Sequence, residues 1–159
     1  MSETSILLEE LKSFASICSG KQKEWYEKML ADARVVKVSP LSDIFTPDEI
    51  ETIKKVVRPQ KKECYKNATL TAILLMKKGV KYCEGKCTCC GIGLDHAFNK
   101  IGDRYFDVTA ELALGKLDAQ EYMVLGEYSP KEVLKVIEKQ GYYGDVYRAV
   151  ELKKFLKTQ

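Results

Sequence analysis

The order of hydrophobic patterns along the chain predicts an α+β fold: a helical N-terminal part, a central buried helix packed on a small antiparallel sheet, then helices. Three observations carry this. Helical spacing dominates residues 1–58. A long apolar run, Glu63 to Met76 (ECYKNATLTAILLM), sits near the middle with Cys64 at its entrance. From Val80 the texture switches to strand-like alternation broken by glycine-bearing turns. A length of 159 residues suits a single domain, read here as 1–58, a core at 59–128 and C-terminal helices at 129–159.

Taken in order, residues 5–18 read as an amphipathic helix with Leu7, Leu11, Phe14 and Cys18 on its apolar face. A second helix at 22–33 stacks Trp25, Met29, Leu30 and Ala33. Val35–Val38 is a short strand. Thr46-Pro47-Asp48-Glu49 is a capping-box start, opening a helix over Ile50, Ile53 and Val57 that stops before Pro59. The central helix ends at Lys77-Lys78-Gly79. Strands are predicted at Val80–Glu84, Leu94–Asn99, Arg104–Thr109 and Glu121–Leu125, with Lys86–Gly93 as a thiol-dense loop. Ser129-Pro130-Lys131-Glu132 opens another helix, and Val146–Lys157 forms the last.

A hydrophobic share of 45%, a charged share of 31% and a net charge of +3 are ordinary for a globular protein and do not call for nucleic-acid binding. The acidic start, with Ile6-Leu7-Leu8 broken at once by Glu9-Glu10, lacks a secretory pattern, and no run reaches membrane-span length. The expectation is a cytoplasmic protein without membrane association, whose six cysteines are thiols or metal ligands rather than disulfides.

Chemistry gathers in the middle of the chain. A thiol at a helix start is favoured as thiolate by the unpaired amides and the positive dipole end. Cys64 holds that position, and His96 is the sole histidine. With a two-residue turn at Ile101-Gly102, strand pairing sets Asp107 opposite His96. An aspartate there fixes the imidazole tautomer and stabilises its charged form, giving a nucleophile, base and orienting carboxylate. The competing reading is zinc. Cys83, Cys87, Cys89 and Cys90 form C-x3-C-x-C-C with His96 close behind, and thiolates with imidazole suit zinc. The two readings exclude one another at His96, and the triad reading, which needs no cofactor, is preferred.

Cys64-Tyr65-Lys66-Asn67-Ala68, His96-Ala97-Phe98-Asn99 and Asp107-Val108-Thr109 resemble the papain-like superfamily, and within it the transglutaminase-like cysteine peptidases and amidases. Tyr82-x-Glu84-Gly85 is similar to the strand before the histidine in small bacterial and phage members. The resemblance spans roughly 60–125. It implies a thiol hydrolase or acyltransferase acting on an amide or isopeptide bond of a peptide, protein or small amide, with Cys64, His96 and Asp107 as the triad. Gln60 resembles the oxyanion-hole glutamine of such enzymes, although its spacing from the cysteine is shorter. Asn67 and Glu84 in the matching pieces join it as oxyanion or substrate candidates, and the Cys64 backbone amide is the preferred oxyanion donor. The chain departs from the pattern in its short Cys–His spacing, in Phe98 where tryptophan is commoner, and in the thiol-rich segment. The alternative function is an interaction module, zinc-binding or catalytically silent, using the Cys83–Cys90 segment or the helical N-terminus.

Overall fold

The computed structural model describes residues 4–158. Six α-helices and five strands occur among them: α1 (Ile6–Ile17), α2 (Gly20–Asp32), β1 (Arg34–Val36), α3 (Pro47–Val57), α4 (Cys64–Leu74), β2 (Lys81–Cys89), β3 (Ile92–Ile101), β4 (Arg104–Phe106), β5 (Tyr122–Tyr128), α5 (Pro130–Gln140) and α6 (Val146–Lys157). No helix among the described residues is long and apolar enough to cross a membrane.

All ladders of the sheet are antiparallel, in the order β1-β5-β2-β3-β4. Its edges approach each other: Val38, just past β1, bridges Tyr105 in β4, and the Ser39 amide donates to the Tyr105 carbonyl. The sheet is therefore curled. Its inner face holds Cys83, Phe98, Tyr105, Tyr122 and Val124. The outer face packs on α3, α4 and α5 through Tyr82, Ala97 and Phe106, and on α1 through Met123.

Both capping boxes form as the cap residues dictate. Thr46 and Glu49 bond reciprocally at α3, as do Ser129 and Glu132 at α5. In α4 the most buried positions are small or polar, Asn67, Ala68, Thr69, Thr71 and Ala72, which lets the helix lie close to the sheet. The Thr69 and Thr71 hydroxyls turn back to carbonyls four residues earlier, satisfying themselves without outside partners. Asn99 Nδ2 then donates to the Ala68 carbonyl at 2.9 Å and ties the helix to β3.

Several sequence expectations change. The segment read as a thiol-dense loop is a β-hairpin: β2 and β3 run through it and turn at Cys90-Gly91, both at positive φ. Alternation there is masked by the cysteines, which carry no clear polarity. The next turn is Gly102-Asp103 rather than Ile101-Gly102, pairing Ile101 with Arg104 and Asn99 with Phe106. Gly102 takes φ 59°, for which a β-branched isoleucine is unsuited. β4 accordingly ends at Phe106, and the chain enters a π-helical turn at Thr109–Ala113 instead of continuing as a strand to Thr109. Two residues placed on the apolar face of the first helix lie off the core: Phe14 is exposed and stacks on Tyr26, and Cys18 is a half-buried C-cap. The N-terminal part also contributes β1 to the sheet, so it is not merely helical cover.

Candidate active site

Cys64 is the first residue of α4. The chain reaches it through a tight elbow in which Lys62 takes φ 64°, outside the ordinary range for a non-glycine residue. The elbow is clamped by Asn67, fully buried one turn into the helix. Its Oδ1 accepts from the Gln60 amide at 3.2 Å, and its Nδ2 donates to the Gln60 carbonyl at 2.8 Å and to Thr109 Oγ1 at 2.9 Å. Asn67 thus fastens the approach to Cys64 onto the helix and onto the turn after Asp107. Glu63, the N-cap, offers no side-chain cap, so the first amides of α4 are not covered by it.

His96 stands on the same face of β3 as Phe98, the inner face of the curl, with the two rings stacked at 6.1 Å. Its Nε2 donates to Asp107 Oδ2 at 2.7 Å. The ladder would set His96 against Thr109. The contact arises because Asp107, just past β4, starts the π-helical turn: its Oδ1 accepts from the Ala110 amide at 3.1 Å, which aims Oδ2 at the ring. A third donor, the Tyr122 hydroxyl from β5, reaches Oδ2 at 2.7 Å. Sequence reasoning overlooked Tyr122. It lies in the strand predicted at Glu121–Leu125, but that run is apolar on both faces and gives no sign of which side Tyr122 takes or whom it meets.

The electrostatics follow from this set. Burial alone would lower the His96 pKa. The charge and hydrogen bond of Asp107 outweigh that, and neighbouring Cys64 adds to the upward push by hydrogen bonding and charge, so His96 reaches about 10. For Asp107, burial works upward, yet the His96 charge and bond, with Tyr122 and the Ala110 amide, hold it below the usual carboxylate range. At neutral pH the pair is an imidazolium facing a carboxylate. With Nε2 committed to Asp107, Nδ1 is the nitrogen left for Cys64.

A cavity of about 170 Å³ opens beside His96 and Asp107, and Cys87, Cys89 and Cys90 form part of its wall. The thiol-rich hairpin is therefore a lip of this site. Cys83 faces the core on the inner side of the sheet, and burial pushes its thiol up. Burial, Asp107 and Cys64 push Cys87 up to about 12. Cys89 and Cys90 are exposed at the tip. Among the described residues no three His, Cys, Asp or Glu side chains converge as a metal site, so the C-x3-C-x-C-C ligand set is not assembled. The extended hairpin spreads its members along β2 and the turn and into different environments.

The remaining candidates are placed otherwise than the resemblance implies. Gln60 is exposed, with its amide Nε2 turned to the Arg58 carbonyl at 3.3 Å. Glu84 is buried and caps α6: its carboxylate accepts the Val146 and Tyr147 amides at 3.1 Å each, and the Tyr82 hydroxyl. Burial raises its pKa against those bonds. It also lines a cleft of about 330 Å³, walled by Trp25, Tyr26, Tyr65 and Tyr147, that adjoins the neighbours of Cys64 and His96 in sequence.

Comparison of the chain with protein-family models, with curated proteins and with solved structures finds no match.

Proposed function

We propose that the protein is a thiol-dependent hydrolase or acyltransferase acting on an amide or isopeptide bond, with Cys64 as nucleophile, His96 as acid–base and Asp107 as the orienting carboxylate. The observation that supports the reading is the His96–Asp107 pair, joined through Nε2 at 2.7 Å, with Cys64 at the start of α4 near enough to act on the ring by hydrogen bonding and charge. In this scheme the Cys64 thiolate adds to the carbonyl carbon, and the oxyanion is met by the uncapped Cys64 amide. The tetrahedral adduct collapses as His96 gives its Nδ1 proton to the leaving amine. His96 then takes a proton from water or an acceptor amine as that nucleophile adds to the thioester carbon, and collapse of the second adduct releases the acyl product and expels Cys64 as the thiolate beside the imidazolium. Such a site resembles the papain-like and transglutaminase-like enzymes in the order and roles of its residues. The acyl donor is a peptide, protein or small amide, and the 170 Å³ cavity beside His96 and Asp107 offers room for the acyl group.

Iodoacetamide labelling with peptide mapping tests this. Cys64 is expected to be alkylated ahead of Cys18 near neutral pH, and the preference is expected to vanish in His96→Ala. A Cys64 no more reactive than Cys18 in the unaltered protein overturns the reading.

A further inference from the structure

Tyr122 is the one group of the site that neither the triad chemistry nor the packing of the sheet requires as a tyrosine. Its ring is buried and packs edge-on against Phe98 at 5.2 Å, and tilted against His96 at 6.1 Å. A phenylalanine would make the same contacts. The hydroxyl is what remains to be explained, and its hydrogen bond goes to Asp107 Oδ2, the oxygen that also accepts from His96. Its position is firmly held. Tyr122 pairs with Val36 of β1 on one side and with Cys87 of β2 on the other. Just before it, the Gln120 and Glu121 amides both donate to Thr88 Oγ1, at 2.8 and 3.0 Å. Glu121 in turn accepts from Ser5 and from the Ile6 and Leu7 amides at the start of α1.

We propose that Tyr122 is a positioning residue whose hydroxyl keeps buried Asp107 ionised and aimed at His96 Nε2, so that Nδ1 stays turned to Cys64. The physical reason is the environment of the carboxylate. A buried carboxylate has lost water, and each donor that replaces it favours the charged form. Two of its three donors are fixed by the local chain: the Ala110 amide by the π-helical turn, and His96 by β3. Tyr122 comes from a strand on the other side of β2, and it supplies the cross-sheet contact that stops Oδ2 from swinging off the ring. Sharing one oxygen also tempers the pull on His96. Donors competing for a single acceptor weaken one another, so the imidazolium is left freer to release its proton. The inference rests on the triad reading for its consequence, but not for its geometry.

The test uses the full chain and the sole histidine as reporter. In Cys64→Ala protein, where no covalent chemistry can occur, the acid-side inflection of the His96 Cε1–H signal reports the ionisation of Asp107. Tyr122→Phe is expected to raise that inflection by about one pH unit, a tenfold change in acidity, for loss of one charge-assisted hydrogen bond. An inflection within about 0.2 of the parent overturns the proposal, since the accuracy of the titration is well inside the expected change. If the phenylalanine variant does not fold, 3-fluorotyrosine at position 122 keeps the shape and strengthens the donor. It is then expected to lower the inflection, and an unchanged or raised value overturns the idea. In the presence of Cys64, Tyr122→Phe is expected to slow alkylation of the thiol about tenfold, yet to have no further effect in an Asp107→Asn background. Equal losses in both backgrounds would mean Tyr122 acts on packing alone. Absence of selective Cys64 alkylation would sink the triad reading while leaving the titration to decide on Tyr122.

Discussion

Replacing Asp107 by asparagine keeps the size of the side chain and deletes its charge, leaving His96 buried beside a neutral group. Side chains in this pair are only 11% and 2% exposed, so solvent screens the interaction little. Breaking a buried ion pair at one partner costs about 3–5 kcal/mol. The elevation of His96 from 6.5 to about 10 is of the same size, at about 1.4 kcal/mol per pH unit. Its sign fixes the pH window. A histidine whose folded pKa is raised contributes stability that is fully present below pH 6.5 and lost as pH climbs through about 10. The lowered Asp107 sets the acid limit of the same contribution, present above its ordinary 3.8 and lost as pH falls through its folded value. In Asp107→Asn burial works against the charged ring with only Cys64 left to support it, so the elevated pKa drops and most of the stabilisation that came from protonation is lost. Urea unfolding followed by the fluorescence of Trp25, the single tryptophan, is expected to show the variant less stable by about 3–5 kcal/mol near pH 6. The gap should close toward pH 10. A gap of equal size at both pH values would refute the argument, because it would place the role of Asp107 in neutral hydrogen bonding rather than in charge.

Other outcomes follow from the same geometry. Asn67→Ala removes the clamp on the elbow before Cys64 and leaves the Gln60 amide and carbonyl without their partner; a loss of about 2–4 kcal/mol is expected, with protease cleavage appearing first near residues 60–63. Wild-type stability in that variant would mean the elbow holds itself. Gly85→Ala puts a methyl group 1.9 Å from the Met123 carbonyl oxygen, at the point where the pairing with β5 shifts register. Because that contact is backbone, it cannot relax cheaply, and Gly85 pairs with His96 across β2 and β3. The variant is expected to lose more than about 3 kcal/mol and to shift the His96 resonance; a near-neutral substitution would show the strands free to separate there.

The residues of the candidate site were legible because their types are scarce and local grammar sets their backbone. One histidine leaves no competitor for the base. Cys64 follows a proline-marked approach and precedes a long apolar run, so its place at a helix start could be read directly. Thr46 and Ser129 announce their helices because capping is an exchange between residues three apart. The partner of His96 was named correctly through an incorrect register. The turn falls one residue later than the pattern suggested, and Asp107 reaches the ring by capping a π-helical turn, not by facing it across a ladder. That turn depends on the curl of the sheet, on Asn67 holding Thr109, and on the Ala110 amide, none of which is local in sequence.

The alphabet and spacing of this chain therefore determined its α+β class, the start of its central helix and the identity of its candidate nucleophile and base. Tertiary structure alone decided the rest: that the cysteine-rich segment is a hairpin lip and not an assembled metal clamp, that Gln60 turns away while Glu84 caps a distant helix, and that Tyr122 joins His96 on one carboxylate oxygen. The physical reason is range. Caps and periodicity act within a turn or a strand, whereas the ionisation of a buried carboxylate depends on every donor that folding brings to it, from wherever in the chain it comes.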